Sequence, residues 1–146
     1  MTIAIPHPYK DGVAENWIAT HQAQFESGQS VHFAVVAREE GILCGVVGLE
    51  TQAQNNNAML GYWIGLPFWR RGFCTEAARA VVNYGFAELG FHRIYSEHFA
   101  CNLASGRVMQ KLGMQLEGCA RQHVLKWGQY EDFILYGLLA SEWDFS

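Results

Sequence analysis

The sequence predicts a mixed α/β (α+β) domain, a sheet flanked by helices. Three observations lead there. The first half holds three short β-rich runs separated by turn residues. Two helical patterns follow, each placed after a strand and each ending at a glycine. The chain then closes on two longer β-type stretches around a tight turn. At 146 residues it is about one domain's worth of chain, so residues 1–146 are read as a single domain.

Residues 12–28 place Val13, Trp17, Ile18 and Phe25 on one side of a predicted helix that stops at Gly28. Residues 31–38 and 42–49 read as strands, joined as a hairpin through Glu39, Glu40 and Gly41. A turn at Asn55, Asn56 and Asn57 leads to a third strand, 58–64, whose continuous apolarity predicts a central position with both faces buried. Residues 75–89 repeat apolar side chains at helical spacing, Ala78, Val81, Val82, Phe86 and Leu89, before Gly90. Residues 93–98 form the next strand. Residues 103–112 form the next helix, closed by Gly113, and 114–124 and 130–139 are the last two strands, with a turn at Trp127 and Gly128.

Composition narrows the function. Half the residues are apolar and 16% are charged, well below the roughly 25% usual for soluble domains and incompatible with a disordered chain. A net charge of −4 does not favour a polyanion, so nucleic acid is not expected as a partner. Cys44, Cys74, Cys101 and Cys119 form no close pair of the kind used by zinc sites or redox dithiols, so they are read as reduced, scattered thiols. The start lacks the basic and apolar segments of a secretory signal and no stretch is apolar for the width of a bilayer, so a cytoplasmic, non-membrane protein is expected. The motifs GxSxG, GxxxxGK[ST], HExxH and GxGxxG are absent from the sequence, which removes the commonest hydrolase, NTPase, zinc-peptidase and Rossmann signals.

The informative segment is GYWIGLPFWRRGFCTEA at 61–77, the junction between the third strand and the long helix. Gly72 just before a helix lets the backbone pass close to a bound group, and the free first-turn amides attract an anion. Arg70 and Arg71 add charge there. A second strand-to-helix junction, NLASGRVMQKLG at 102–113, puts Asn102 and Ser105 at a helix start that could share the same crevice. Helix capping alone also explains Asn102 and Ser105.

WRRGFCTEA at 69–77 followed by NLASGRVMQKLG, with the closing segments 117–121, 128–132 and 139–143, resembles the Gcn5-related N-acetyltransferase (GNAT) superfamily, in particular the ribosomal-protein-alanine acetyltransferase branch. The resemblance spans residues 5–143. It implies a mixed, splayed sheet in which the third strand parts from the strand at Arg93 and leaves a V-shaped gap for acetyl-CoA. It also implies that Arg71, Gly72, Phe73, Cys74 and Thr75 hold the pyrophosphate, that the backbone at Ile64 and Leu66 pairs with the pantetheine arm, and that Asn102 contacts that arm. No metal is implied. Three departures stand out: Trp69 stands at the first position of the [QR]xxGx[GA] signature, as is common in this branch, and Cys74 at its last, small-residue position; Met59 replaces an acid often carried on the third strand; and IPHPYKDGVAENWI at 5–18 matches a segment that relatives reach after a first strand and helix. One strand and one helix that help wall the acceptor site are therefore expected to be missing.

The reaction so implied is direct attack of a primary amine, a protein N-terminal α-amine or a small molecule, on the thioester of acetyl-CoA. A carboxylate must take the amine's proton, and Glu50 and Glu97 are the candidates. Strand amides near Ile64 and Leu66 would meet the developing oxyanion. The resemblance points to Ser105 as the acid for the departing thiolate, with Tyr62 and Tyr136 as rivals because a phenol titrates nearer a thiol. Cys74 at a helix start is a further, less favoured nucleophile for a ping-pong route. His123 and Asp132 are either acceptor contacts or a hydrogen-bonded structural pair, and Trp127 is the aromatic expected to touch an acceptor. The alternative is a module of the same fold that binds acyl-CoA without turnover. An unprotected edge strand makes a homodimer the expected assembly.

Overall fold

A computed structural model describes Pro8 and residues 10–146; residues 5–7 and Tyr9 of the expected first segment lie outside the described residues. The sheet has six strands: β1 (Ser30–Ala37), β2 (Ile42–Gln52), β3 (Asn57–Ile64), β4 (Arg93–Phe99), β5 (Gln115–Lys126) and β6 (Gln129–Leu139), in the order β1-β2-β3-β4-β6-β5. All neighbours are antiparallel except β3 and β4, which run parallel. Local chemistry explains the turns. Gly41 adopts φ +66° in the β1–β2 connection, Asn56 φ +48° before β3, and Trp127 with Gly128 φ +49° and +78° at the tip of β5–β6, the two-residue turn that matches strand twist.

Helix α3 (Phe73–Ala87) and helix α4 (Leu103–Lys111) cover one face of the sheet. There Ala78, Val81, Val82 and Phe86 of α3 and Met109 of α4 pack on Leu49, Leu60, Ile94 and Leu138. Each buried aliphatic side chain contributes about 1.5–3 kcal/mol, so this layer anchors both helices. The Arg79 guanidinium donates to the Lys111 carbonyl at 2.9 Å and ties α3 to the end of α4. Strand alternation then turns Met59, Gly61, Tyr95, Glu97, Phe133 and Leu135 toward the opposite face.

Two expectations need correction. The single helix over 12–28 is two short helices, α1 (Val13–Ala19) and α2 (His21–Glu26), because the Thr20 hydroxyl and N–H both donate to the Trp17 carbonyl and close the first helix. Neither contains a buried residue, and Trp17, Ile18 and Phe25 are exposed rather than packed. The pair is held to β1 instead by His21, whose ring stacks on His32 at 4.4 Å, with Trp17 edge-on to both rings. The second correction concerns β3. It is central, but Ala58 and Leu60 are its buried residues, while Gly61 and Trp63 beyond them are exposed. The cause is the behaviour of its neighbour β4.

Candidate active site

β3 and β4 pair over three residues only, Asn57 with Arg93, Ala58 with Ile94 and Met59 with Tyr95. Beyond that point β3 keeps β2 as its partner through Ile64, and β4 keeps β6 through Phe99. The two strands part. At the apex the Ser96 hydroxyl, buried, donates to the Leu60 carbonyl at 2.8 Å, so a side chain takes the place of the next backbone donor. Further out, the Tyr62 hydroxyl on β3 spans to Ser105 on α4, donating to its carbonyl at 3.0 Å and lying 2.9 Å from its Oγ. A phenol has one proton, so with that proton on the carbonyl the Ser105 hydroxyl is the donor to Tyr62.

The free edge of β3 follows from ladder alternation. The Gly65 N–H donates to the Cys44 carbonyl on β2, so the Ile64 carbonyl points the other way, into the gap, as do those of Tyr62 and Leu60. Ser96 takes Leu60. The Trp69 indole N–H donates to the Ile64 carbonyl at 2.7 Å. What faces the gap is therefore the N–H and C=O of Tyr62 and the N–H of Ile64, which suit an amide-bearing arm laid along the strand. The Ile64 carbonyl is held by the chain's own indole, and its N–H is the group left on the open edge. Leu66 lies in a 3-10 turn, Leu66–Phe68, with its side chain exposed.

Gly72 begins α3 at φ +86°, and Arg70 two residues earlier stands at φ +61°. No side chain caps the helix, so the amides of Phe73, Cys74 and Thr75 have no side-chain acceptor, and a Cβ on Gly72 would meet no atom within 4 Å. An uncapped helix start beside open space can receive an anionic group. Arg71 lies over the Phe73 ring at 4.9 Å and within 3.5 Å of Glu40, which fixes its charge beside this turn. Across the gap, the Asn102 side chain caps α4 by accepting from the Ser105 N–H at 3.3 Å. Gly106 lets α4 seat there, since a Cβ would lie 2.8 Å from Nε2 of the buried His98.

Burial pushes the Cys74 thiol up to about 11, against the lowered value that a nucleophile at a helix start would need. That raised value speaks against the less favoured ping-pong route through Cys74. Burial likewise raises the Tyr62 phenol well above its ordinary value, with the Ser105 hydrogen bond opposing. Tyr62 therefore holds its proton at neutral pH. Tyr136 is buried and accepts from Gln110 Nε2 at 3.1 Å.

The carboxylates separate by position. Glu50 stands opposite Met59, where β3 and β4 are still joined. Glu97 is the first β4 side chain on the same face beyond the last pair. Tyr95, which the sequence did not single out, lies near both: its hydroxyl accepts from Gln52 at 2.7 Å, and its raised pKa comes from burial first, then from Glu97 and Glu50. His123 and Asp132 are not a pair. The Asp132 carboxylate accepts from the Gln122 N–H at 2.7 Å, while the His123 ring lies 6.0 Å from that of Phe133. Trp127 is at the hairpin tip, under the Lys126 ammonium at 4.9 Å.

A sheet that opens between two parallel strands, with an uncapped helix start at its rim, leaves a crevice able to take an extended ligand that carries an anionic group. The family model of the acetyltransferase (GNAT) domain matches residues 1–115, and the chain belongs to that family of acetyl-CoA-dependent N-acetyltransferases. It is 34% identical over 127 residues to the uncharacterized N-acetyltransferase YoaA of Bacillus subtilis, an alignment covering 86% of this chain and 72% of that protein. It is 28% identical over 120 residues to the ribosomal protein uS5-alanine N-acetyltransferase of Escherichia coli, covering 81% of this chain and 62% of the relative. The crystal structure of a GNAT-family acetyltransferase from Bacillus anthracis superposes with a TM-score of 0.72 at 30% identity, covering 76% of this chain and 67% of that one. Mycobacterium smegmatis RimJ, solved in complex with CoA-disulfide, shares the fold with a TM-score of 0.80 at 21% identity, covering 88% of this chain and 62% of that one.

Proposed function

We propose that this chain, acting as one domain, transfers the acetyl group of acetyl-CoA to a primary amine by direct attack, the amine being a protein N-terminal α-amine or a small molecule. The observation that carries the reading is the parting of β3 from β4 after Met59 and Tyr95, beside the uncapped start of α3. The amides of Gly72, Phe73, Cys74 and Thr75 would hold the diphosphate, Arg71 would add charge, and the Tyr62 and Ile64 edge would pair with the pantetheine arm. Asn102 supports α4 at the opposite wall. Acetyl-CoA supplies the activated acyl group.

The protein's own part is to orient, to move protons and to stabilise charge. The carboxylate of Glu97, directly or through water, takes the proton of the attacking amine; Glu50 is the second candidate, one strand pairing further from the gap. The Ile64 N–H, unused by the ladder, faces the position where an oxyanion develops. As the carbon–nitrogen bond forms and the carbon–sulfur bond breaks, the Ser105 hydroxyl turns from Tyr62 and gives its hydrogen to the sulfur, and the serine oxygen regains a proton from solvent, the amine's own proton having gone to the carboxylate. The exposed thiols Cys101 and Cys119 fit a reducing, cytoplasmic setting. The outer edge of β5, along which no further strand lies among the described residues and which is exposed along most of its length, suits a homodimer.

A thermal-shift titration with acetyl-CoA, beside dephospho-CoA and with thiol release followed over a panel of amines, tests this. A saturable shift and amine-dependent thiol release are expected. Binding without release would support the acyl-CoA-binding module, and no shift at all would end the proposal.

A further inference from the structure

Resting on the acetyl-transfer reading above, we propose that a cavity of about 330 Å³ on the face opposite α3 and α4 is the acceptor subsite, shaped for a primary amine on an uncharged apolar stem, with Glu97 at its mouth and His123 as a selectivity residue. Its lining is Glu97, Gly118, Cys119, Ala120, His123, Phe133 and Leu135. One carboxylate meets the ammonium before deprotonation. The rest of the wall, except for the imidazole and the thiol, is apolar or glycine and has nothing to hold a second cation.

The cavity is lined from β4, β5 and β6 and borders the gap through Glu97. Glu97 pairs laterally with Leu135 on β6, and on its other side β3 has already departed. Gly61, on the facing part of β3, carries no side chain, and a Cβ there would meet no atom within 4 Å. The second hollow on this face, about 290 Å³ beside Trp17, Gln24, His32 and Glu50, lies instead where β3 and β4 are still paired.

The shape of the cavity depends on a bulge in β5. Pairing runs Ala120 with Phe133 and then resumes at Val124 with Glu131, so residues 121–123 face Asp132 alone. Strict alternation from Ala120 would turn residue 123 to the other face. The bulge, with Gln122 at φ +51° and its N–H held by the Asp132 carboxylate, brings His123 against Phe133 on the cavity side. Asp132 is thus a positioning residue for His123.

The test compares n-pentylamine with 1,5-diaminopentane, equal in length and different by one terminal charge, by thiol release with acetyl-CoA. Pentylamine is expected to exceed the diamine by at least about 10-fold in kcat/KM, since the apolar wall offers the second ammonium no partner. Glu97→Gln is expected to raise KM for pentylamine about 10-fold, the scale of one charge-assisted hydrogen bond. Gly118→Val, placed where a side chain has room, is expected to shift the preference from pentylamine to ethylamine. His123→Ala and Asp132→Ala are both expected to narrow the monoamine-to-diamine ratio, Asp132→Asn less so. The acetyl-CoA thermal shift, measured in every variant, is expected to match wild type and serves as the check on folding. Equal turnover of the two amines, or unchanged KM and preference in variants that bind acetyl-CoA normally, overturns the subsite. Absence of both the acetyl-CoA shift and thiol release with any amine overturns the acetyl-transfer reading itself.

Discussion

The hydroxyl of Tyr62 on β3 meets Ser105 at the start of α4 twice, 3.0 Å from its carbonyl oxygen and 2.9 Å from its Oγ, and so links the two walls of the gap where the sheet has no ladder. The contact sets the direction of the hydrogen bonds. Tyr62 gives its proton to the carbonyl and receives that of Ser105, so the serine hydroxyl must turn from Tyr62 to reach a departing sulfur.

Replacing Tyr62 by Phe removes both bonds and leaves the Ser105 hydroxyl half-buried without them. A loss of about 1–2 kcal/mol in stability is expected, together with a fall in turnover of about 10-fold, the scale of a displaced proton donor. Acetyl-CoA affinity should hold within about twofold, because the β3 edge that faces the ligand is backbone. Differential scanning fluorimetry and thiol-release kinetics check this; a variant equal to wild type in rate would remove Tyr62 and Ser105 from proton delivery.

Gly72→Val places a β-branched residue at φ +86°, at a cost of about 1–2 kcal/mol per left-handed residue. Its side chain would also occupy the open space beside the first turn of α3. The acetyl-CoA thermal shift is expected to disappear while the protein remains folded by circular dichroism. A retained shift would place the diphosphate elsewhere.

Because burial holds the Cys74 thiol protonated at neutral pH, no acetyl-enzyme should accumulate. Intact-mass measurement after incubation with acetyl-CoA alone is expected to show the unmodified chain, and initial-rate plots against both substrates are expected to intersect. A stable adduct mapped to Cys74, with parallel plots, would restore the two-step route.

The stacked His21 and His32 rings predict the acid side of the stability profile. Burial lowers the His32 pKa, and the charge of His21 lowers it further. The neutral form is therefore favoured by folding: its contribution is complete above the unfolded value near 6.5 and is lost as pH falls through the lowered folded value. Wild type is expected to lose melting temperature between pH 7 and pH 5 more steeply than His32→Phe, which keeps an aromatic ring without the titration. Parallel slopes would show that the pair does not sense pH.

Much of this was legible in the sequence. Strands β1 to β6 and helices α3 and α4 lie within a few residues of where periodicity and glycine stops put them, because most bury a repeating apolar face and several are followed by a residue at positive φ, as at Gly41, Gly90, Gly113 and Gly128. The motif around Gly72 was visible as a strand-to-helix junction. Ser96 and Tyr95 were not, since a serine and a tyrosine in a strand carry no signal until their neighbours are known. The split between α1 and α2 was hidden because it rests on one hydroxyl, that of Thr20, competing for a backbone carbonyl.

Local pattern thus determined the elements, their order and the loop able to take an anion, since these depend on residues within a turn or two of one another. Tertiary structure decided where β3 leaves β4, which carboxylate stands at the opening, and that a bulge held by Asp132 turns His123 to the same side. Those outcomes come from contacts between distant segments, where a single hydrogen bond or one slipped register changes the face a side chain occupies.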